Sequence, residues 1–281
     1  MNLLIASCGR RANLTKWFKE ELNKHKLKVY STDRDTYSPA LYYADNYFIS
    51  DDRKYNTQFE YIEALINKCK TLDILYIITL HDQQLLLFAE YEKHFRLRGI
   101  TLIASEYELI KTCYDKASYN QLPINQVPTT IIKDRYGSAS NGLVMQQYIE
   151  GQEYNVQCYY DLISGKLVDI FMQEKLGMRA GETDKSMSIW DDDIYQEINK
   201  LSSVKGFKGA IDIDVIKSDR PYIIDINPRF GGGYPLAHYC GCDFVSKIVS
   251  NMQGEETPNI CGQPYPLGVV MMKYNGLYFK E

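Results

Sequence analysis

The chain has 281 residues, of which 45% are hydrophobic and 24% charged, an ordinary globular composition that leaves room for one large domain or two smaller ones. Its 32 basic and 36 acidic residues give a net charge of -4, which argues against a nucleic-acid-binding protein because such proteins normally carry a basic surplus. No apolar run is long enough to span a membrane, and the short N-terminal run follows no basic residues, so we expect neither a membrane anchor nor a signal peptide. The seven cysteines lack paired CxxC spacing and indicate the reduced thiols of a cytoplasmic protein.

Strands alternate with helices in the first part of the chain. Short apolar runs predict strands at 2–6, 27–33, 73–80 and 100–105. Helical spacing predicts a helix that ends near His25 and further helices at 57–70, 81–98 and 106–119. In the helix at 57–70 we expect one buried side, formed by Phe59, Ile62, Leu65, Ile66 and Cys69. This alternation is typical of an open, mostly parallel α/β sheet, and we assign it to a first domain over residues 1–112.

The second part of the chain, residues 113–281, has the pattern of an α+β domain. Strands are predicted at 144–149, 153–163, 166–176, 209–217 and 220–227, and a helix at 191–204. Turn signals predict three hairpins, at Ser164-Gly165, Ser218-Asp219 and Asn275-Gly276. Consecutive strands joined by hairpins favour an antiparallel sheet.

The strands at 209–217 and 220–227 carry the most informative side chains. Asp212 and Asp214 share one face of the first strand, and Asp225 and Asn227 share one face of the second. Hairpin pairing can bring these oxygens together, and they are the ligands that Mg²⁺ needs when a polyphosphate completes its octahedron. Arg229, one step beyond, could donate to a phosphoryl oxygen. The alternative is a solvated hairpin face, but carboxylates in so apolar a strand need a partner.

Glycines 231–233, which follow Arg229, would let the backbone approach a ligand closely. Two further stretches give weaker signals. Lys133 is followed by a loop of small residues over 137–140, which could bind phosphate, although a flexible surface turn is the favoured interpretation when the stretch is taken alone. In "VMQQYIEGQEY", backbone edges could bind a purine and Glu153 a ribose, and here too the alternative, an ordinary hairpin corner, is favoured when the stretch is taken alone.

Together and in this order, these motifs resemble the ATP-grasp superfamily, especially its stand-alone proteins that are similar to the carbamoyl phosphate synthetase large subunit. The resemblance runs from "LLIASCGRRANL" through "CYDKASY" and "GQEY" to "DINPRFGGGYP", which is its most specific motif. The segment "EKLGMRAGETDKS" also looks like one that this group carries in its active-site cleft. The resemblance implies an α/β N-terminal Rossmann-like (pre-ATP-grasp) domain followed by an α+β ATP-grasp domain.

The resemblance also implies a role for individual residues. ATP would be bound by Lys116, Lys133, the loop Gly137, Ser138, Ala139 and Ser140, the hinge Gln147, Tyr148 and Ile149, and Glu153. Mg²⁺ or Mn²⁺ would be held by Asp214, Asp225 and Asn227, with Asp212 nearby. Arg229 would stabilise the transferring phosphoryl group, Lys175 and Arg179 would line the acceptor side, and residues 7–11 could face the acceptor.

The implied activity is an ATP- and Mg²⁺-dependent carboxylate–amine, or carboxylate–thiol, ligase that releases ADP and works through an acyl phosphate. Its partners would be small molecules, without nucleic acid or membrane, and a homodimer is a fair default for such an enzyme. The alternative is a nucleotide-binding or regulatory protein with impaired catalysis. A nicotinamide-dependent oxidoreductase is disfavoured, because "SCGRRAN" lacks the glycine spacing that a dinucleotide pyrophosphate requires.

The lid region, about residues 123–150, is shorter than the resemblance implies. A helix and strand before Lys133, and a strand and helix after the glycine loop, have no counterpart here. Two interpretations stay open. Either the lid is reduced, which would weaken ATP binding and turnover, or lid segments are missing from the sequence at hand.

Overall fold

The computed structural model describes residues 1–125, 131–134, 143–146, 149–179 and 181–279; for 131–134, 143–146 and Glu182 the description is limited to the backbone. These residues form two compact units. The first contains Met1–Ala104, Val245–Glu255 and the C-terminal segment from Leu277, and the second contains Ser105–Phe244 and Glu256–Gly276. Residues 105–112, which the sequence pattern assigns to the first domain, lie in the second unit; the domain bounds 1–112 and 113–281 stay a prediction.

The first unit is built on a parallel five-stranded sheet, as the alternating pattern predicts. Its strands are β1 (Asn2–Ala6), β2 (Val29–Asp33), β3 (Asn46–Ile49), β4 (Ile74–Thr79) and β5 (Thr101–Leu102). The strand order is β3-β2-β1-β4-β5, and every pairing is parallel. Its helices are α1 (Ala12–Lys24), α2 (Gln58–Thr71), α3 (Asp82–Glu90) and α4 (Glu92–Arg96).

Several local predictions for the first unit need correction. Residues 81–98 form two helices, because Tyr91 leaves the helical region of backbone space with φ -95° and ψ 11°. The strand predicted at 100–105 has only two residues, since it lies at the sheet edge and pairs with β4 alone. Phe59 is half exposed, and Tyr61 takes the buried place on α2. The short strand β3 was not predicted, because its side chains are largely exposed and show no core pattern.

The second unit contains two antiparallel sheets and several helices. The small sheet pairs β6 (Ile131–Asp134) with β7 (Leu143–Gln146). The large one is formed by β8 (Gln152–Tyr160), β9 (Leu167–Arg179), β10 (Glu182–Ile189), β11 (Gly209–Lys217), β12 (Pro221–Asn227) and β13 (Val270–Met272). Its order is β12-β11-β8-β9-β10-β13. Its helices are α5 (Tyr107–Tyr114), α6 (Asp192–Asn199) and α7 (Tyr234–Tyr239). The next helix, α8 (Phe244–Met252), belongs to the first unit from Val245 onward.

The large sheet has one apolar face and one polar face. One cross-strand row consists of Ile226, Ile213, Val156 and Met172. These four residues are buried in the core of the second unit. Because side chains alternate along a strand, the neighbouring rows point the other way, and they carry the aspartates and amides of the sequence motif. The alternation therefore gathers the polar residues on the face opposite the core.

The structure confirms two of the three predicted hairpins. β8 and β9 are joined at Ser164-Gly165, where Gly165 takes the positive φ of 67° that favours glycine, and β11 and β12 are joined at Ser218-Asp219. The hairpin at Asn275-Gly276 is wrong, because β13 pairs with β10 and residues 273–279 form no strand. The predicted short lid falls mainly outside the described residues, which contribute only β6 and β7 there. No helix in the described part of the chain is both long and apolar enough to cross a membrane.

Candidate active site

Two neighbouring cross-strand rows on the polar face bring the predicted metal residues together. The first row is Asp225, Asp214, Asn155 and Gln173, and the second is Asn227, Asp212 and Gln157. Three carboxylates and four amides thus become neighbours on strands β12, β11, β8 and β9. The hairpin signal predicted the pairing of β11 with β12, whereas the amides of β8 and β9 were not predicted.

Each of the three aspartates faces a cation. Lys116 Nζ lies 3.2 Å from Asp225 Oδ1, Lys175 Nζ lies 2.9 Å from Asp214 Oδ1, and Arg229 NH1 lies 3.4 Å from Asp212 Oδ2. The site therefore holds its positive and negative groups in matched pairs.

Burial sets the protonation behaviour of the Lys175–Asp214 pair. Burial raises the pKa of Asp214 to about 6; Lys175 opposes this rise, and the nearby Asp212 adds to it. For Lys175, burial acts to lower the pKa, but the charge and hydrogen bond of Asp214 outweigh it, so the pKa is raised and the lysine keeps its charge. The pair is consistent with a charged lysine beside a carboxylate that can take up a proton in mild acid.

Asp212 has a different environment from the other two aspartates. Its Oδ1 accepts hydrogen bonds from Asn155 Nδ2 at 2.8 Å and Gln157 Nε2 at 2.5 Å. Its Oδ2 lies 3.5 Å from Asn227 Nδ2 and 3.4 Å from Arg229 NH1. With both oxygens engaged and the residue buried, Asp212 serves as an internal acceptor for its neighbours.

The glycines after β12 approach this network closely. A Cβ on Gly231 would lie 1.9 Å from Asp212 Oδ1, and one on Gly233 would lie 2.3 Å from Gln173 Nε2 and 2.4 Å from Asn155 Oδ1. The sequence suggested that these glycines admit a ligand. In the structure their close contacts are with the protein's own carboxylate and amides.

Tyr119 is a further site residue that the sequence analysis missed. Lys116 and Tyr119 belong to a 3₁₀ helix, Lys116–Gln121, in which residues three apart lie on the same side. The Tyr119 hydroxyl accepts from Ile226 N–H at 2.8 Å and lies 3.3 Å from Asp225 Oδ1. Burial, reinforced by the charge of Asp225, raises its pKa well above the usual value, so the hydroxyl keeps its proton. Its place in the motif YDKASY would have pointed to the site only if the contact between this segment and β12 had been known.

We expect Tyr119→Phe to destabilise the protein by about 1–3 kcal/mol, because the buried N–H of Ile226 would lose its acceptor. Urea unfolding measures the effect. Tyr160→Phe is the matched control, since the Tyr160 hydroxyl is equally buried and has no hydrogen-bond partner among the described residues. Equal unfolding free energies for the two variants would contradict the assigned role of Tyr119.

Other predicted site residues are placed differently. Arg179 binds Asp184, with Nε and NH2 at 2.9 and 2.5 Å from Oδ1, and makes no described contact with the aspartate rows. Glu153 lies at the end of the polar face, with its Oε2 3.6 Å from Lys175 Nζ. Ile149 is half-buried. The side chains of Lys133, Gly137, Ser138, Ala139, Ser140, Gln147 and Tyr148 lie outside the described residues.

Residues 7–11, predicted to face an acceptor, belong to the first unit. They follow β1, where Gly9 N–H donates to Asp33 Oδ2 at 2.8 Å and the Ser7 hydroxyl lies 2.9 Å from Gln84 Oε1. These contacts hold the turn between β1 and α1. The acceptor role stays a prediction.

The oxygen donors on this face fit a hard divalent cation by their chemistry. Among the described residues, no group of three or more His, Cys, Asp or Glu side chains is positioned to hold a metal ion. Lysine ammonium groups lie beside Asp214 and Asp225 instead.

Comparison with known proteins supports the fold and its two-part organisation. Residues 3–103 match the family of PylC-like N-terminal domains, and residues 121–233 match an ATP-grasp domain family. A tyramine–L-glutamate ligase of Methanocaldococcus fervens is 23% identical over 99 residues, which are 34% of this chain and 33% of that protein. The match therefore spans about a third of this curated relative.

Two solved structures show the same overall fold. N5-carboxyaminoimidazole synthetase from Staphylococcus aureus, complexed with ADP, superposes with a TM-score of 0.71 at 17% identity, covering 96% of this chain and 81% of that one. L-amino acid ligase from Bacillus licheniformis superposes with a TM-score of 0.69 at 15% identity, covering 92% and 75%. The expected fold class is confirmed: the chain contains a PylC-like N-terminal domain, matched over residues 3–103, followed by an ATP-grasp domain, matched over residues 121–233.

Proposed function

We propose that the protein is an ATP- and Mg²⁺-dependent ligase that joins a small carboxylic acid to an amine and releases ADP. The observation that carries the proposal is the set of three aspartates, each paired with a cation, on one face of the ATP-grasp sheet. Such a site can exchange internal ion pairs for contacts with a metal–nucleotide complex. The names of the similar proteins, two of which are amino-acid or glutamate ligases, support this class of reaction.

Asp214, Asp225 and Asn227 are the residues that would hold Mg²⁺ in this proposal. Asp214 and Asp225 are cross-strand partners, and Asn227 lies two residues further along the same face of β12. Asp212 already accepts hydrogen bonds from Asn155 and Gln157, so it would support the metal-binding residues through this network without binding the metal itself. A bound Mg²⁺ would neutralise phosphate oxygens during phosphoryl transfer.

The proposed reaction has two steps. An oxygen of the acceptor carboxylate attacks the γ-phosphorus of ATP, the bond to the β–γ bridging oxygen breaks, and an acyl phosphate and ADP form. The amine nitrogen then attacks the acyl carbon, the carbon–oxygen bond to phosphate breaks, and the nitrogen loses a proton as inorganic phosphate leaves. Lys116, Lys175 and Arg229 would stabilise the negative charge that gathers between the two anions.

A direct test measures ADP release by purified protein with ATP, Mg²⁺ and a panel of small carboxylic acids, each with amino acids, amines or thiols. Acceptor-dependent ADP release, with mass-spectrometric detection of an amide, supports the ligase. A thioester product would instead identify the carboxylate–thiol variant. Tight nucleotide binding without ADP release from any acceptor would favour the regulatory alternative, to which the short lid region points. The proposal includes a cytoplasmic location. It also includes a homodimer, and light scattering of the purified protein measures this oligomeric state.

We expect Lys116→Ala to weaken ADP binding by about 10–100-fold, because a partly buried charge-assisted contact with phosphate contributes roughly 1.5–3 kcal/mol. Isothermal titration calorimetry in the presence of Mg²⁺ measures the change. Lys111→Ala is the control, since Lys111 lies on α5 and pairs with exposed Glu108. An unchanged dissociation constant in Lys116→Ala would count against this lysine.

We expect Mg²⁺-dependent ADP binding to weaken as the pH falls through about 6, because the pKa of Asp214 is raised to about 6 and a protonated carboxyl is a poor ligand. Because Asp214 takes up one proton, the Mg²⁺-dependent affinity for ADP should fall about tenfold for each pH unit below that pKa. Titrations at pH 7.5 and 5 measure it, with metal-free ADP binding as the reference. The same raised pKa stabilises the folded protein at low pH, and this contribution to stability is lost as the pH rises through about 6. A Mg²⁺ dependence that is constant over this range would contradict the assignment of Asp214.

A further inference from the structure

We propose that Asn155 is a positioning residue, whose side-chain amide holds Asp212 and Asp214 at a fixed separation and presents Asp214 to the metal–nucleotide complex. This inference rests on the proposed function and assigns the two aspartates different tasks. Asp214 would contact the metal, and Asp212 would act as an internal support. It concerns three residues on adjacent strands, β8 and β11.

The amide of Asn155 bridges the two carboxylates. Its Nδ2 lies 2.8 Å from Asp212 Oδ1 and 2.9 Å from Asp214 Oδ1. A side-chain amide carries two N–H donors in a fixed plane, so one donor can serve each carboxylate. The bridge therefore sets both the distance between the aspartates and their orientation.

The orientation of this amide is itself determined by two glutamines. Asn155 Oδ1 accepts from Gln157 Nε2 at 2.6 Å and from Gln173 Nε2 at 2.9 Å. If the amide were turned over, its oxygen would face two carboxylates and its nitrogen two donors. Like groups would then meet on both sides, so only one orientation satisfies the network.

Gln173 extends the network to the glycine segment. Its Oε1 accepts from the Ser186 hydroxyl at 2.6 Å, and its Nε2 also lies 3.1 Å from the carbonyl oxygen of Gly233. The strand pair β9–β10, the amide bridge and the chain after β12 are thus connected by hydrogen bonds. The four polar side chains Asn155, Gln157, Gln173 and Ser186 are each at most 2% exposed.

Burial makes the hydrogen bonds of this network energetically important. An apolar side chain at position 155 would leave two carboxylates without these donors, and a buried charge that loses a hydrogen bond is costly. The two aspartates also differ in access, since the side chain of Asp214 is 22% exposed and that of Asp212 is 9% exposed. The geometry is therefore that of a support beneath Asp214, which stays open to one side.

The test compares wild type with Asn155→Leu, which removes the amide at similar size, and Asn155→Asp, which keeps the shape and removes the donors. Isothermal titration calorimetry measures ADP binding with and without Mg²⁺. We expect at least tenfold weaker binding with Mg²⁺ in both variants and little change without it. Asn251→Leu is the control, because Asn251 is a buried amide of the first unit that donates to Glu255 O at 2.7 Å. It should reduce stability without changing the Mg²⁺ dependence.

A crystal structure of ligand-free Asn155→Leu provides a readout that is independent of nucleotide. Displaced carboxylates of Asp212 and Asp214 support the inference, and unchanged positions overturn it, as does an unchanged Mg²⁺ effect on ADP binding. Should both Asn155 variants fail to fold, Gln173→Leu makes the same test, since it removes one of the two donors to Asn155 Oδ1 and leaves the hydrogen bonds from Asn155 to the aspartates in place. If wild-type protein shows no Mg²⁺-dependent nucleotide binding, the proposed function fails, while the crystal structure still decides whether Asn155 positions the carboxylates.

Discussion

Replacing Asp225 by alanine is expected to reduce Mg²⁺-dependent ADP formation by at least about 10²–10³-fold, the loss typical for one group that stabilises charge in a transition state. Asp225 is the partner of Lys116 at 3.2 Å and of the Tyr119 hydroxyl at 3.3 Å. Its loss removes a proposed metal ligand and leaves Lys116 without its counter-charge. The fold should persist, because Asp225 lies on the polar face and the core of β12 is formed by Ile223 and Ile226.

Activity is measured as ADP release with the acceptor found in the panel, and folding by circular dichroism. Asp219→Ala is a suitable control, since Asp219 lies at the exposed tip of the same hairpin and accepts a hydrogen bond from the Tyr222 hydroxyl. It should retain full activity. Turnover of Asp225→Ala at the wild-type rate would remove Asp225 from the metal site.

Replacing Gly231 by alanine is expected to cost about 1–3 kcal/mol of folding free energy, as overpacking does, and to weaken Mg²⁺-dependent ADP binding as well. The new methyl group would lie 1.9 Å from Asp212 Oδ1 and 2.1 Å from Asp212 Cγ. Asp212 cannot simply swing away, because Asn155 and Gln157 hold its carboxylate by hydrogen bonds. Either the glycine segment or the network beneath Asp214 must move.

The comparison variant is Gly276→Ala, because a Cβ at Gly276 meets no described atom within 4 Å and its backbone has no positive φ. That variant should have wild-type stability or a slight gain, through a less flexible unfolded chain. Urea unfolding of both proteins measures the difference. Equal stability would show that Gly231 does not press on Asp212 as described.

The hairpin of β11 and β12 shows how much of the site could be predicted. A two-residue period places Asp212 with Asp214, and Asp225 with Asn227, on single faces, and a short turn determines which residues face each other. The structure confirms that these residues come together. The pairs themselves, Asp214 with Asp225 and Asp212 with Asn227, depend on a register shift between Asp214 and Val215 that the turn did not predict. The roles of these residues in metal binding stay a prediction.

Asn155, Gln157 and Gln173 show where prediction from the sequence ended. The alternation of Asn155 and Gln157 within an apolar strand was visible, and it indicates a polar face. Which residues they touch depends on β8 lying between β11 and β9, an order that no local pattern specifies. Tyr119 was hidden for the same reason, since its partners Asp225 and Ile226 lie more than 100 residues away.

Local periodicity and turn residues were enough to predict the alternation of elements and two of the antiparallel hairpins, because these depend on interactions between residues close in sequence. The fold family was indicated by the resemblance of the motifs, taken in order, to the ATP-grasp superfamily. The tertiary structure alone decided that β8 joins β11 to β9, that each aspartate faces a cation and that the glycines pack on Asp212 and the amides. Those features depend on strand order and on burial, which lowers the local dielectric and makes each unpaired charge costly. The individual strands are therefore predictable from local sequence, whereas the site forms only when strands distant in sequence pair with one another.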